Sequence, residues 1–489
     1  MNWLDRAILA VAPVTAVKRA RARIIAMHYD AAVLDSRTAH RRASGADADA
    51  ANQQRARLTG LARDMIRNTP YAARAQQVIA NNVVGDGIIP RIAGLPATLA
   101  QQGQAYVERL LDTTAIDYDG RQNLYGLQRI AMQAVVDAGE VLIVHRGDWA
   151  GDLRLQVLEA DYLDSSRDGL PGEFGGWVHD GIEYDRAGQR IGYWLFDQHP
   201  GASMLRPDIG LVSSFVPAHR VAHLFRQDRP GQMRGVSWYS SIMLPLQDLG
   251  DYHDAELMRH KVAATFAGFR RVGDLATGGP GAAGALEELR PGLIQDIGPD
   301  EEVTFPTPPV AGDFDPFSRA VLRSVAAGLG ITYEALTGDL SNVNFSSARM
   351  GRVEMDRNIS SWQWTMMIPL MLDPVGAWFR DAWAAHDRQN FEAITGARIE
   401  WQPPHRVLVD PTREIPALVE AIRAGLTSRR AVVRSQGFDP ERLEQDIAEE
   451  NRVADSLGLK FESDYRHDGK SPTLPNSIVR QLKGTSDDE

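Results

Sequence analysis

Four groups of residues have types and spacings that invite a chemical reading. Gly469-Lys470-Ser471 has the end of a phosphate-binding loop, but such a loop needs another glycine five residues upstream, and position 464 is Asp. His219 and His223 have the four-residue spacing that suits zinc on a helix. They fall beside a strand-like run, Arg220–Phe225, where they would stand ~13 Å apart, so structural roles are expected. Asp248, Asp251, Asp254 and Glu256, acidic positions mostly three apart on an expected helix, could in principle hold a divalent ion. No second acidic cluster accompanies them with a partnering motif, and a solvated face is the expected reading. Gly235-Val-Ser-Trp-Tyr239 begins like a nucleophile elbow and lacks its closing glycine. The chain has no cysteine, which excludes thiolate nucleophiles, thiolate zinc sites and iron–sulfur clusters. No catalytic, cofactor or metal constellation emerges, so any energy-consuming step belongs to a partner.

Length and charge bound the rest. At 489 residues the chain should hold more than one core, and its 44% hydrophobic and 24% charged composition is that of a folded protein. The net charge of −11 argues against a protein that grips nucleic acid over its whole surface. Residues 1–42 are an exception, with eight basic side chains against three acids. Two readings of that arm stay open: an amphipathic segment docking on a neighbour, or arginines touching nucleic acid. No run approaches the apolar length of a membrane span, and no long-period repeat is visible.

The elements that must position the candidate residues follow from pattern. After a small, polar linker at 43–54, helices are expected over 55–84, punctuated at Asn68-Thr-Pro70, then over 97–112 and 122–138. Val141–His145, Leu153–Leu158, Trp177–Tyr184, Arg190–Phe196 and Val221–Phe225 read as strands, with a hairpin at Asp185–Gly188. A helix is expected from Ser240 to Ala267, ~42 Å long, with Ile242, Leu246, Leu249, Leu257 and Ala264 on one face. Its charges segregate lengthwise: the four acids come first, then Arg259, Lys261, Arg270 and Arg271. A Gly/Pro-rich module over 268–312 precedes a helix at Phe314–Leu329, with Phe317, Val321 and Val325 on one side and Arg319 and Arg323 on the other. A polar connector, Gly330–Phe345, then leads to a long helix from Ser346, kinked at Pro369. The aromatic and Met residues of 355–379 read as core or interface packing. Toward the C-terminus, Asp410-Pro411 and Asp439-Pro440 each mark a helix start. Ile415, Leu418, Val419 and Ile422 are expected on one face, and Leu443, Ile447 and Leu457 inside. The tail beyond about Ser463 is polar and expected to be disordered.

Several of these segments carry a resemblance. Arg229-Pro-Gly-Gln-Met-Arg-Gly-Val-Ser-Trp238, the long helix Leu246–Ala267 and the run Leu336–Gly351 stand in order behind Asn68-Thr-Pro-Tyr71 and Asn81-Asn-Val-Val-Gly-Asp-Gly87. Together they resemble the lambda-type portal proteins of tailed bacteriophages, over roughly residues 55–460. The resemblance implies an α+β, multidomain portal fold with an α/β wing, helical stem, small α/β clip and helical crown, assembled as a ring usually of twelve subunits. Outside the similarity lie an N-terminal arm and linker (1–54) and a flexible tail (461–489). The wing would take 55–236 and 346–404, the stem 237–267 and 313–329, the clip 268–312, the channel loop 330–345 and the crown 405–460.

The implied function is a ring at one capsid vertex. Double-stranded DNA is packaged through it by the terminase and later ejected, and the tail attaches there. Implied partners are further copies of the chain, the large terminase subunit, the major capsid protein, head–tail adaptor proteins and DNA held without sequence specificity; the implied location is the virion, with the host cytoplasm during assembly. Thr337, Gly338, Asp339, Ser341, Asn342 and Asn344 would tip the channel loop. Asp248, Asp251, Asp254, Glu256, Arg259, Lys261, Arg270 and Arg271 would face DNA or the motor. A packaging nuclease or ATPase, or another ring-forming connector, is the alternative.

Overall fold

The computed structural model describes residues 46–49, 54–147, 151–204, 210–264, 268–271, 294–297, 314–341, 343–404, 410–436, 438, 440–459, 461 and 464. The basic arm 1–42, most of the 268–312 module, Asn342 and the tail beyond 464 lie outside these residues. The chain forms two compact units, residues 1–53 with 228–233 and residues 54–227 with 234–489. In the first, the turn after Pro230 is tied by the Gln232 side chain, which accepts from the Asp228 and Arg229 amides. There too the Met233 amide donates to Asp49 at 2.8 Å.

The second unit mixes helix and sheet. Helices α1 (Arg55–Asn68) and α2 (Pro70–Val84) meet where expected, because Thr69 is extended and Pro70 starts α2 at a position that needs no amide donor. Strand β1 (Ile89–Ala93) and helix α3 (Ala97–Leu110) follow. Helix α4 (Leu124–Ala138) is capped by Asn123, whose side chain accepts from the Gly126 amide, and ends at Gly139 in a left-handed conformation. Every residue of β2 (Glu140–His145) is buried. It is the central strand of an antiparallel sheet between β3 (Leu155–Glu159) and β8 (Val221–Phe225), with Ile143 opposite both Val157 and Ala222. A second sheet is a meander of β4 (Trp177–His179), β5 (Ile182–Tyr184), β6 (Arg190–Phe196) and β7 (Ser213–Pro217). The expected single strand Trp177–Tyr184 is therefore two. Asp180 and Gly181 both take positive φ, the conformation that a two-residue hairpin requires.

Helix α5 (Met243–Ala264) follows a 3-10 turn at Trp238–Ser241. The module beyond it is described as one parallel strand pair, β9 (Gly268–Arg271) with β10 (Ile294–Ile297). Helix α6 (Phe314–Leu329) matches its expected bounds. The polar connector is a correction: residues Tyr333–Thr337 form a short helix, α7, with Leu336 buried. Five residues are too few to show helical periodicity, and the signal was in the ends, a Thr332 cap and a Gly338 stop.

Helix α8 (Phe345–Trp362) passes into a π-helical stretch, Gln363–Leu372, and then α9 (Asp373–His386). The π stretch replaces the expected kink at Pro369, since a wider turn accommodates a ring that has no amide hydrogen. Met366, Met367, Ile368, Met371 and Leu372 are all buried in the core. A short helix, α10 (Phe391–Thr395), leads to β11 (Arg398–Gln402), which pairs with β1 from the far end of the chain. Helices α11 (Pro411–Arg423), α12 (Arg429–Ser435) and α13 (Pro440–Leu457) complete the described residues. Asp410 makes no capping bond and instead accepts from the Thr412 hydroxyl. Leu457, expected inside, is exposed.

One buried ion pair fixes where α5 begins. The carboxylate of Glu140 accepts from Arg234 Nε at 2.8 and 2.9 Å, from His223 Nε2 at 2.9 Å and from the Gly235 amide at 2.9 Å. Burial alone would raise its pKa, but the Arg234 guanidinium and His223 hold it well below the usual carboxylate range. The backbones cross so closely here that a Cβ on Gly235 would lie 2.2 Å from the Gly139 carbonyl oxygen. Arg234→Ala would strand a buried carboxylate, and a loss of ~3–5 kcal/mol is expected. Urea denaturation of the variant checks this; an unchanged midpoint would show that the pair does not hold the fold.

Candidate nucleic-acid interface

The charged helix α5 packs antiparallel on α6. Gly328 of α6 lies against Ile242, His253 Nε2 meets Ser318 Oγ at 3.1 Å, and Tyr252 packs on Phe317 with ring centroids 4.6 Å apart. The α5 seam is Ile242, Leu246, Leu249, His253 and Glu256, a 4-3-4-3 spacing that keeps one face on a partner helix. The expected face, which continued to Leu257, is corrected: Leu257 is exposed, and the seam turns polar in its second half.

At about 100° per residue, Asp248, Asp251 and Asp254 fall opposite this seam, and all three are exposed. Glu256 does not join them. It is buried on the seam and pairs with Arg259 at 2.8 Å. Lys261 is exposed, and Arg270 and Arg271 lie on β9 opposite Asp296 and Ile297 of β10. The structure thus groups three aspartates of the eight stem and clip charges on one outward face. Neither α6 arginine is a free cation. Arg319 pairs with Asp315 at 3.0 Å and Asp339 at 3.5 Å, and Arg323 lies over the Tyr333 ring.

Most residues named for the loop hold its shape. Thr337 Oγ1 donates to the Tyr333 carbonyl and accepts from the Asp339 amide, while Gly338 takes the left-handed conformation that ends α7. Asp339 accepts from the Ser341 hydroxyl at 2.6 Å, the Ser341 amide at 3.0 Å and the Tyr333 hydroxyl at 3.2 Å. The Ser341 hydrogen bonds, with Tyr333 and Arg319, lower its pKa. Asn344 and Ser347 cap α8 reciprocally. Among the described residues of the loop Leu340 is a large apolar side chain left 66% exposed, beside the exposed Ser341 and Asn344, and a search for polar tips passes it over. At the loop's base, Arg74 of α2 donates to the Ala335 carbonyl.

The histidine pair does not come together as a site. His223 is spent on Glu140, whereas His219 lies in a separate 3-10 turn, and its carbonyl accepts from Trp378 Nε1. Elsewhere Glu159, Asp161 and His199 have donor atoms within 4.8 Å of one another. The place of a cation is filled by Arg63, 2.8 Å from Asp161 and 3.2 Å from Glu159. His199 Nδ1 accepts from the Gly201 amide, so its proton sits on Nε2 and points at Glu159.

Beside this cluster burial pushes the Asp137 carboxyl up to about 7, against the opposing pull of Arg63. The folded state therefore keeps a proton that the unfolded chain releases near the ordinary carboxylate pKa. Stability falls as pH rises through that window, and the full cost is present above about 7. Asp137→Asn should raise the melting temperature at pH 8 and change it little at pH 4. Equal shifts at both pH values would count against the buried carboxylate.

Comparison with known proteins places the chain in a family. A family profile described as phage portal protein, lambda family, matches residues 35–363. This chain belongs to that family. The match reaches into the basic arm and stops short of α11–α13. The probable portal protein of Halomonas phage phiHAP-1 is 26% identical over 427 residues, covering 82% of this chain and 81% of the relative. Portal protein B of Escherichia phage lambda is 21% identical over 448 residues, covering 81% and 84%. A solved chain described as the neck of a native gene transfer agent particle computed with C12 symmetry aligns with a TM-score of 0.43 and 16% identity, over 80% of this chain and 94% of that one. By that family match over residues 35–363 the chain is a phage portal protein.

Proposed function

We propose that copies of this chain close into a ring, of twelve subunits as is usual for portals, whose α5–α6 pairs line a passage for double-stranded DNA at one vertex of the capsid. The observation that carries the reading is the outward face of α5. Asp248, Asp251 and Asp254 lie exposed opposite the intrachain seam, between the exposed apolar side chains of Leu244 and Met258. A row of carboxylates repeated around a ring repels phosphate and keeps a duplex centred without gripping it, since each phosphate neutralised by a cation would hinder sliding.

In this reading 55–236 and 346–404 are the wing, 237–267 and 313–329 the stem, 268–312 the clip and 405–460 the crown. The loop 330–345 reaches the passage through Leu340, on a base fixed by Asp339 and Arg319. An apolar tip sliding over the duplex makes no lasting bond to phosphate. The large terminase subunit drives packaging as a separate motor, and the major capsid protein and head–tail adaptors are the other partners. The chain itself performs no catalysis, and it resides in the virion after assembly in the host cytoplasm.

Negative-stain images of the purified chain should show closed rings; a persistent monomer under assembly conditions would count against the reading. Replacing Asp248, Asp251 and Asp254 by Lys should convert rings that hold duplex fragments weakly into tight, salt-sensitive binders, the slope of log K against log salt steepening by ~0.9 per new phosphate contact. Unchanged binding would remove these carboxylates from the passage. Shortening Gly338–Asn344 should leave rings intact and impair packaging or retention of DNA, and normal packaging by that variant would take the loop out of the mechanism.

A further inference from the structure

The last three helices sit outside the hydrophobic core. Among the described residues that core ends at Trp401 of β11, with Ile92 of β1 and Ile399 packed against it. Beyond Trp401 the buried described residues are Pro440 and Ala454, and neither joins it. Neither α11 nor α12 buries a residue, and helices of that length are marginal alone in water. Apolar burial in the core therefore contributes little to holding these helices in place.

Ion pairs join them to the rest of the unit. Arg91 stands opposite Glu400 on the β1–β11 ribbon and pairs with Glu441 in the first turn of α13. The same Glu441 lies 3.8 Å from Arg430 and 4.0 Å from Arg434 of α12, and Arg430 meets Glu444 at 2.8 Å. A second tie runs from Arg349 of α8 to Glu414 of α11, at 3.9 Å. Glu441 is thus where the ribbon, α12 and α13 meet. Water reaches every one of these paired side chains, from 22% exposure at Arg91 and Glu414 to 54% at Arg430. Ion pairs so placed are weak one by one and screened by salt, which leaves buried apolar contacts intact.

We propose that α11–α13 form a latched module. It detaches from the β1–β11 ribbon and α8 while the core stays folded, and the ion pairs centred on Glu441 set how readily it does so. Elements that change place are drawn from the weakly held parts of a fold. A module held in this way leaves and returns without disturbing the Glu140 ion pair or the core around it. The latch belongs to the single chain and does not depend on the ring reading above.

Hydrogen exchange of the full chain, followed by mass spectrometry in about 50 and about 500 mM sodium chloride, tests the latch. Protection in α11 and α13 should fall about three- to tenfold at the higher salt, while β2 stays protected. Arg91→Gln should cause a similar fall at the lower salt. In a chain that already carries Glu441→Gln, the same Arg91→Gln change should add little, because its partner carboxylate is gone. A role of Arg91 in folding at large would lower β2 protection in both backgrounds. Protection of α11 and α13 that ignores salt, loss of β2 protection alongside theirs, or an Arg91→Gln effect of equal size with and without Glu441 overturns the inference.

Discussion

The carboxylate of Glu140, buried at the start of the central strand β2, is the point on which the rest of the second unit depends. A lone charge there would be prohibitively costly, so Arg234, His223 and the Gly235 amide must all reach it. Satisfying it draws three stretches of chain together: the end of α4, strand β8 and the approach to α5. The approach is close enough that Gly139 and Gly235 have no room for a side chain. Just beyond, Trp238 packs on Trp362 of α8, and the Tyr239 hydroxyl donates to the Ala72 carbonyl of α2. The first turn of α5 is therefore held on several sides before the helix leaves the core.

That rigid root gives meaning to the distribution of charge further along. Near the core, the α5 seam is aliphatic and buried. Beyond Leu249 it continues through His253 and Glu256, which are matched by Ser318 and Arg259. Arginines near the helix pair are largely engaged: Arg319 with two carboxylates, Arg323 with an aromatic ring, Arg74 with a carbonyl at the loop base. The outward face is left to aspartate. A surface of that composition repels a polyanion, in keeping with the passage proposed above.

The same economy marks the loop after α7. Its polar residues, whose composition suggests contact with a ligand, mostly bond to one another and to the ends of α7 and α8. Their local hydrogen bonds fix the turn, and among the described residues Leu340 stays exposed. At the C-terminal end the balance is reversed. There Ile415, Leu426, Val453 and Leu457 are left exposed, while Arg430 reaches across from α12 to Glu444 of α13.

Local signals were legible in the residues themselves. The break at Asn68-Thr-Pro70, the bounds of α6, strands β6 and β8 and the Asp185–Gly188 hairpin follow from caps, turn residues and alternation, which act within a few positions along the chain. The order of short motifs also carried the family. The Asp180-Gly181 hairpin and the Thr332 cap were present in the sequence and were overlooked as signals. What only tertiary structure decided were the pairings between distant positions: Glu140 with Arg234, β1 with β11, Arg319 with Asp339. It also decided which α5 charges face outward, because Glu256 and Asp254 are two residues apart and look alike in sequence. Their environments differ only once α6 packs against one side of the helix. Burial and long-range pairing arise from how elements meet, and no local pattern along the chain encodes that.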